Sequence, residues 1–353
     1  MKIRTAIQNL GTYTPPLEGR NPEDYLLMDF NESPFPPDPK VQEALAHFFK
    51  KNTHIYPDYG DFLEVLGDYV GTATENLIFT NGSDQAIDII LRCLLNAEDE
   101  MVMAHPGFSM FRQIAGTLGC KLVAPEYSES LEFPIEAIKK SVSSKTRLIV
   151  VINPNNPTGT SASCDQVEEL LSEFPDVAIL VDEAYFEFSN VTSLPLLDKY
   201  PNLIIIRTFS KALALPSLRL GYAIARSEFI AHLYKIRGPY DVNMAAIIAA
   251  RTQLKAPETW KAHVHHLMTE AKPALESFFQ KHEVRFYKGD ANFMLVAPKR
   301  PVTAVQFLRE HKILVRPMSA PIAHTFRMNV HPLKGTLHFM SVYRSYLQRY
   351  EER

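Results

Sequence analysis

The chain is short of several things, and each shortage removes a class of function. Only 3 of its 353 residues are cysteine. Cys93, Cys120 and Cys164 fall in no CxxC or Cys/His spacing, which points to reduced thiols in a cytoplasmic protein rather than a disulfide or zinc framework. HExxH is absent, and the one histidine cluster (His263, His265, His266) sits in a polar helical stretch where a solvated face is expected and no metal. The dinucleotide fingerprint GxGxxG is also missing, which disfavours a nicotinamide or flavin fold. No apolar run approaches the ~18 residues of a membrane span. With a formal net charge of −3, neither nucleic acid nor an anionic membrane is an expected partner. Met1-Lys2-Ile3-Arg4 carries no apolar secretory core, so the mature chain is expected to begin there.

What remains is the balance of a soluble globular protein, 46% hydrophobic and 22% charged, with length for roughly two domains. Between about Asn76 and Ala225 one pattern repeats. A short, branched apolar run stops at small or polar residues, and a helical stretch often follows. Leu77-Ile78-Phe79 stops at Thr80-Asn81-Gly82-Ser83-Asp84. Met101-Val102-Met103 stops at His105-Pro106-Gly107-Phe108. The run 148–152 stops at NPNNPTG (153–159), the run 178–181 at Asp182-Glu183-Ala184-Tyr185, and the run 203–206 at Arg207-Thr208-Phe209-Ser210-Lys211. Runs this short and uniformly apolar fit strands covered on both faces of a mostly parallel sheet. Ligands bind beyond the carboxyl ends of such strands, so five loops are expected to build one site.

Beyond about Thr252 the character changes to a long polar helical stretch (256–282, carrying Pro273). A strand at 293–296, a helix near 302–310, strands near 313–316 and 326–330, and a final amphipathic helix follow. We read residues 1–45 as an N-terminal arm with part of a small domain, 46–252 as a large domain, and 253–353 as a smaller α/β domain. The Pro-rich first 45 residues are expected to wrap across the domains or a partner.

The loop residues suggest a chemistry. Lys211, at the end of an apolar strand, is partly desolvated, which lowers its pKa and exposes an amine suited to a carbonyl cofactor. Thr208, Ser210 and Arg219 together offer hydroxyls and a forked cation for a phosphate dianion. Gly82-Ser83-Asp84 reads either as a phosphate cradle at a helix start or as an ordinary N-cap. Asp182 closes an apolar strand and needs either a cationic side chain or a protonated pyridine nitrogen. Tyr185 and Asn156 could donate to a phenolate oxygen. Phe108 offers a ring face, or packs in the core.

NPNNPTG, VDEAY and TFSK, with an arginine eight positions after the lysine, resemble the fold-type I pyridoxal-phosphate aminotransferases in order and spacing. DFNESPFPPDPKV, IYPDYG and PYDVN look most like the histidinol-phosphate aminotransferase branch, and the resemblance spans roughly residues 3–345. It implies a large pyridoxal-phosphate-binding α/β domain with a smaller one beside it. It implies that Lys211 holds the cofactor as a Schiff base and moves the substrate proton, and that Asp182 meets the pyridine nitrogen. Asn156 and Tyr185 would face the phenolic oxygen, Phe108 would stack on the ring, and Ser83, the Asp84 amide, Thr208, Ser210 and Arg219 would hold the phosphate. Tyr56 would reach the phosphate of a second subunit, making a homodimer. Arg327 matches the clamp for a substrate carboxylate, Arg316 and Tyr13 match contacts to a distal phosphate, and Asn31 lies near the site. The expected activity is amino transfer from a donor such as glutamate to a keto acceptor, with imidazole acetol phosphate first in line. An aromatic aminotransferase and a threonine-phosphate-type decarboxylase are the alternatives on the same fold. The chain departs from the branch at Met328-Asn329 after the clamp arginine, at Pro216, and at Asp241, where asparagine is usual.

Overall fold

The computed structural model describes residues 1–351. Its strands, in chain order, are β1 (Leu26–Met28), β2 (Leu77–Thr80), β3 (Glu100–Met103), β4 (Lys121–Val123), β5 (Thr146–Ile152), β6 (Ala178–Asp182), β7 (Leu203–Thr208), β8 (Gly221–Ala225), β9 (Arg285–Tyr287), β10 (Phe293–Ala297), β11 (Ile313–Pro317) and β12 (Phe326–Asn329). They form two sheets. The larger runs β2-β8-β7-β6-β5-β3-β4, and the smaller runs β1-β11-β12-β10-β9. In the larger sheet β8 alone is antiparallel to its neighbours β2 and β7, so the sheet is mostly parallel, as the apolar runs predict.

Alternation along the strands explains why those runs are apolar throughout. Ile179, Val181, Ile205 and Ile224 belong to one buried cluster. Their chain neighbours Leu180, Ile204, Ile206 and Ala223 belong to another, on the opposite face. Helices cover both faces, so neither set meets water. The first cluster continues through Phe293, Phe326 and Tyr343 into the smaller sheet, joining the two layers through one apolar interior.

Two stretches gain local detail. In the Pro-rich N-terminal stretch Leu26–Met28 pairs in parallel with Ile313–Val315, and Asp38 caps the helix Pro39–Lys51 by accepting from the Lys40 amide. The polar stretch 256–282 is three pieces, Pro257–His266, a π-helical turn at Leu267–Ala271, and Lys272–Lys281. The wide turn falls just before Pro273, whose ring and missing N–H disrupt regular α-helical bonding. In that stretch His263 stacks on Phe35 at 3.9 Å and His266 faces Glu270. Among the described residues no group of three His, Cys, Asp or Glu could hold a metal, and no helix is long and apolar enough to cross a membrane.

Candidate active site

The carboxyl ends of β2, β5, β6 and β7 open onto one inner cavity of about 140 Å³. Ser83, Asp84, Phe108, Ile152, Asn156, Asp182, Ala184, Tyr185, Thr208, Ser210, Lys211 and Arg219 line it. Every residue assigned above to the cofactor, except Tyr56, is in that lining.

At one end lies an anion cradle. The helix Gly82–Leu94 starts at Gly82, with Asn81 as its N-cap residue making no side-chain cap bond. Ser83 and Asp84 therefore sit in the first turn and are not the cap, so the ordinary capping explanation for this triplet does not hold. First-turn N–H groups and the positive end of the helix dipole face the cavity. Arg219 closes the other side in a left-handed conformation, φ +57°. Its Nη2 donates to Asp84 at 2.9 Å, and its Nη1 to Pro216 O at 3.1 Å and Ser210 Oγ at 3.5 Å. Two glycines make this closeness possible. A Cβ on Gly82 would lie 2.5 Å from Arg219 Nη2, and one on Gly221 would lie 2.5 Å from the Ser83 nitrogen.

At the other end are the groups that handle protons. Lys211 Nζ donates to Phe30 O at 3.0 Å. Burial lowers its pKa to about 8; Arg327 and Arg219 push the same way, and Glu32 and Asp84 oppose them. Asp182 is 4% exposed, and one of its oxygens accepts from the Ala184 amide at 3.1 Å. Burial lifts its pKa to about 7, with Asp84 and Glu183 adding to the rise. No arginine or lysine among the described residues makes an ion pair with it, Lys211 acting only through its charge, so a cationic side chain is not its direct partner. Its second oxygen suits a cationic donor on a ligand. The Tyr185 hydroxyl accepts from Asn31 Nδ2 at 3.0 Å and Asn156 Nδ2 at 3.2 Å. Two donors on one oxygen leave the hydroxyl proton free to point at a ligand oxygen. Burial keeps the Tyr185 pKa above its usual value, so that proton stays on. Phe108 is half-buried, edge-on to Phe111 at 6.5 Å between centroids, and it lines the inner cavity and the outer one beyond it.

The outer cavity, about 610 Å³, is walled by Tyr13, Arg20, Asn31, His105, Arg316 and Arg327 among others. Arg316 and Arg327 are register partners across β11 and β12, so their side chains leave the same face. Directly opposed like charges are unfavourable on a sheet unless an anion joins them. Arg327 donates from Nη2 to Asp29 O at 2.8 Å and from Nη1 to Asn156 Oδ1 at 2.5 Å, while its Nε is buried without a partner. Arg316 Nη1 is likewise buried and unpartnered, and its guanidinium lies 5.5 Å from the Phe30 ring centroid. Arg316 makes no ion pair with any acid among the described residues. Tyr13 lines the cavity at 43% exposure. Tyr56 does not: it is 77% exposed and leans on Tyr240 at 4.7 Å.

Sequence reasoning missed three parts of this site. Phe30 O and Asp29 O, which hold Lys211 and Arg327, are backbone atoms and carry no residue-type signal. Arg20 fixes that same segment through Asp29 and Glu32, from within the Pro-rich N-terminal stretch. Arg207 was grouped with the loop residues at the site, yet it is still inside β7. Its side chain goes to the opposite face, 2% exposed, paired with fully buried Glu183 at 2.8 Å and stacked 3.7 Å from the Phe186 ring centroid. The two-residue period of a strand sends Thr208 to the cavity and Arg207 away from it.

Taken together, the inner cavity offers an amine, an acid for a ring nitrogen, a hydroxyl and an amide for a ring oxygen, an aromatic wall and an anion cradle. That donor set fits pyridoxal phosphate, and the tight approach at Gly221 leaves the cradle open at the helix start. The comparisons with known proteins agree. The family model described as aminotransferase class I and II matches residues 23–340. A Dehalococcoides mccartyi protein named histidinol-phosphate aminotransferase is 33% identical over 327 residues, covering 91% of this chain and 90% of that relative. One of the same name from Roseiflexus castenholzii is 34% identical over 307 residues, covering 83% and 82%. The structure of histidinol-phosphate aminotransferase from Sinorhizobium meliloti in complex with pyridoxal-5'-phosphate superposes with a TM-score of 0.86 at 22% identity, covering 98% of both chains. L-threonine-O-3-phosphate decarboxylase from Porphyromonas gingivalis superposes at 0.80 with 19% identity, covering 92% of this chain and 99% of that one. At such identities the two structures speak for the fold alone. With its fold, its donor set and its relatives in agreement, this chain belongs to the class I and II aminotransferases, which are pyridoxal-phosphate-dependent transaminases.

Proposed function

We propose that the protein moves an amino group between glutamate and imidazole acetol phosphate, the second half-reaction yielding histidinol phosphate. The observation that carries this reading is the opposed Arg316–Arg327 pair, both lining one cavity and each keeping a buried guanidinium nitrogen without a partner. Such a pair suits substrates that bring a carboxylate or a phosphate in turn. Histidinol phosphate enters through the names of the curated relatives, which also support a role in histidine biosynthesis; a cytoplasmic location is part of the same proposal.

In this reading Lys211 holds the cofactor aldehyde, Asp182 meets the ring nitrogen, and Ser83, the Asp84 amide, Thr208, Ser210 and Arg219 hold the phosphate. The bound cofactor supplies an electron sink for the pair left behind when the substrate α-proton departs. The chain does the rest. Lys211 Nζ would take that proton and later give it back, a task suited to an amine whose pKa is about 8. Tyr185 and Asn156 keep the ring oxygen hydrogen-bonded. The contact from Arg327 to Asn156 links the carboxylate clamp to that oxygen, so substrate binding and ring polarisation share one amide. Phe108 covers a ring face, Asn31 positions Tyr185, and Tyr13 borders the distal end of the substrate. A homodimer, with Tyr56 reaching the cavity of a second copy, accounts for the apolar residues Ile55, Tyr56 and Tyr240 left exposed.

The test is a visible absorption spectrum of the protein loaded with pyridoxal phosphate, before and after glutamate or histidinol phosphate. We expect the band of the lysine-linked cofactor to bleach with each compound, and sedimentation to give a dimer. A band that bleaches with neither, or release of carbon dioxide instead of a keto product, refutes this assignment.

A further inference from the structure

The segment 237–243, between the helices Ser227–Ile236 and Met244–Lys255, takes no part in either cavity, yet it is bonded to the strand and helix on one side of the anion cradle and to the residue before Arg219 on the other. Arg237 Nη1 donates to Phe79 O in β2 at 2.9 Å. Asn243 Nδ2 donates to Leu218 O, next to Arg219, at 3.0 Å. Between them, Asp241 Oδ2 accepts from Gln85 Nε2 at 2.8 Å, and Gln85 Oε1 in turn accepts the Asn81 amide at 2.6 Å. Gln85 thus bridges Asn81, just before the cradle, and the first turn that carries Ser83 and Asp84. The other Asp241 oxygen accepts from Arg237 at 2.9–3.0 Å, with Arg237 5% and Asp241 12% exposed. At the tip of the same segment Tyr240 packs on Tyr56.

We propose that Asp241 is a positioning residue for the cofactor phosphate: through Gln85 it holds the first turn of the Gly82–Leu94 helix in register with Arg219. This rests on the cofactor assignment above and extends it to residues outside the cavity. A carboxylate serves here because it accepts from two donors at once, one on the cradle side and one on the buried Arg237. The Gln85 contact is a hydrogen bond to a charged group in a half-buried site, where loss of one such bond is expected to shift an equilibrium by about tenfold or more.

The experiment compares uptake of pyridoxal 5'-phosphate and of pyridoxal, which lacks the phosphate, by the cofactor-free full-length protein, followed by the visible band at Lys211. Two variants are used. Asp241→Ala removes the acceptor. Gln85→Glu keeps the acceptor for the Asn81 amide but turns a carboxylate toward Asp241, and it carries the test alone if uncompensated Arg237 prevents the first variant from folding. The expected result is a preference for pyridoxal 5'-phosphate over pyridoxal reduced about tenfold or more, with pyridoxal affinity unchanged. A preference within twofold of the parent protein overturns the proposal. So does an equal loss for both compounds, which reports a general distortion and not the phosphate cradle. Failure of the parent protein to take up either compound refutes the cofactor assignment itself, and the proposal with it.

Discussion

Asp182 makes the cofactor-free protein pay in stability for its function, and the size of that penalty depends on pH. Its carboxyl is fully buried, and its pKa rises from an ordinary 3.8 to about 7 because burial disfavours the ionised form. In the unfolded chain the group loses its proton near 4, whereas in the folded chain it keeps it to about 7. Between those limits the folded state binds more protons, so stability falls as pH rises through that window and levels off above it. At pH 8 the penalty is on the order of 4 kcal/mol, against roughly 1.5 kcal/mol at pH 5. Asp182→Asn removes the titration. The variant should therefore gain on the parent, in the absence of cofactor, by about 2 to 3 kcal/mol more at pH 8 than at pH 5. Glu187, buried beneath the sheet and also raised to about 7, titrates in both proteins and cancels in the difference. Urea unfolding of the two cofactor-free proteins at pH 5, 6.5 and 8 measures it. The same variant should lose most of the stabilisation that pyridoxal phosphate confers on the parent, because a neutral amide cannot hold a protonated ring nitrogen as a carboxylate does. A stability difference that stays flat with pH would falsify the account of Asp182 as an uncompensated buried acid.

Arg327→Lys cannot reach Asp29 O and Asn156 Oδ1 together and loses the forked donor geometry, so kcat/KM for glutamate should fall about a hundredfold; a stopped-flow half-reaction at the parent's rate contradicts the clamp assignment. Gly221→Ala puts a Cβ 2.5 Å from the Ser83 nitrogen and 2.7 Å from the Gly82 carbonyl carbon. Backbone must move there, and we expect destabilisation of about 1 to 3 kcal/mol together with weakened binding of pyridoxal phosphate, read by unfolding and by equilibrium titration; parent-like values in both show that the cradle tolerates a methyl group.

The sequence by itself determined the sheet and most of the inner cavity, because both follow from local rules. An apolar run that stops at Asp182 or Thr208 marks a strand end, and in a mostly parallel sheet the strand ends meet on one edge. Lys211, Asp182, Asn156 and Tyr185 were legible for that reason: each lies within a few residues of such an end, and its position along the chain sets its position in space. Arg207 shows the limit of the rule. One residue before Thr208 and equally polar, it was read with the site but faces the opposite side, since which of two adjacent residues points into the cavity depends on where the strand finally stops.

Only the tertiary structure decided how the outer groups are held. The Phe30 and Asp29 carbonyls that anchor Lys211 and Arg327 come from a segment more than a hundred residues distant in the chain and are chemically identical to every other backbone oxygen. The opposition of Arg316 and Arg327 arises from the register of two antiparallel strands, which no spacing along the chain encodes. The bond from Asp241 to Gln85 spans 156 positions and becomes visible only when the loop folds back on the cradle. Residue type and local period fix which groups can do chemistry. Their partners are fixed by packing between distant segments, where the cost of leaving a buried polar group unpaired selects one arrangement.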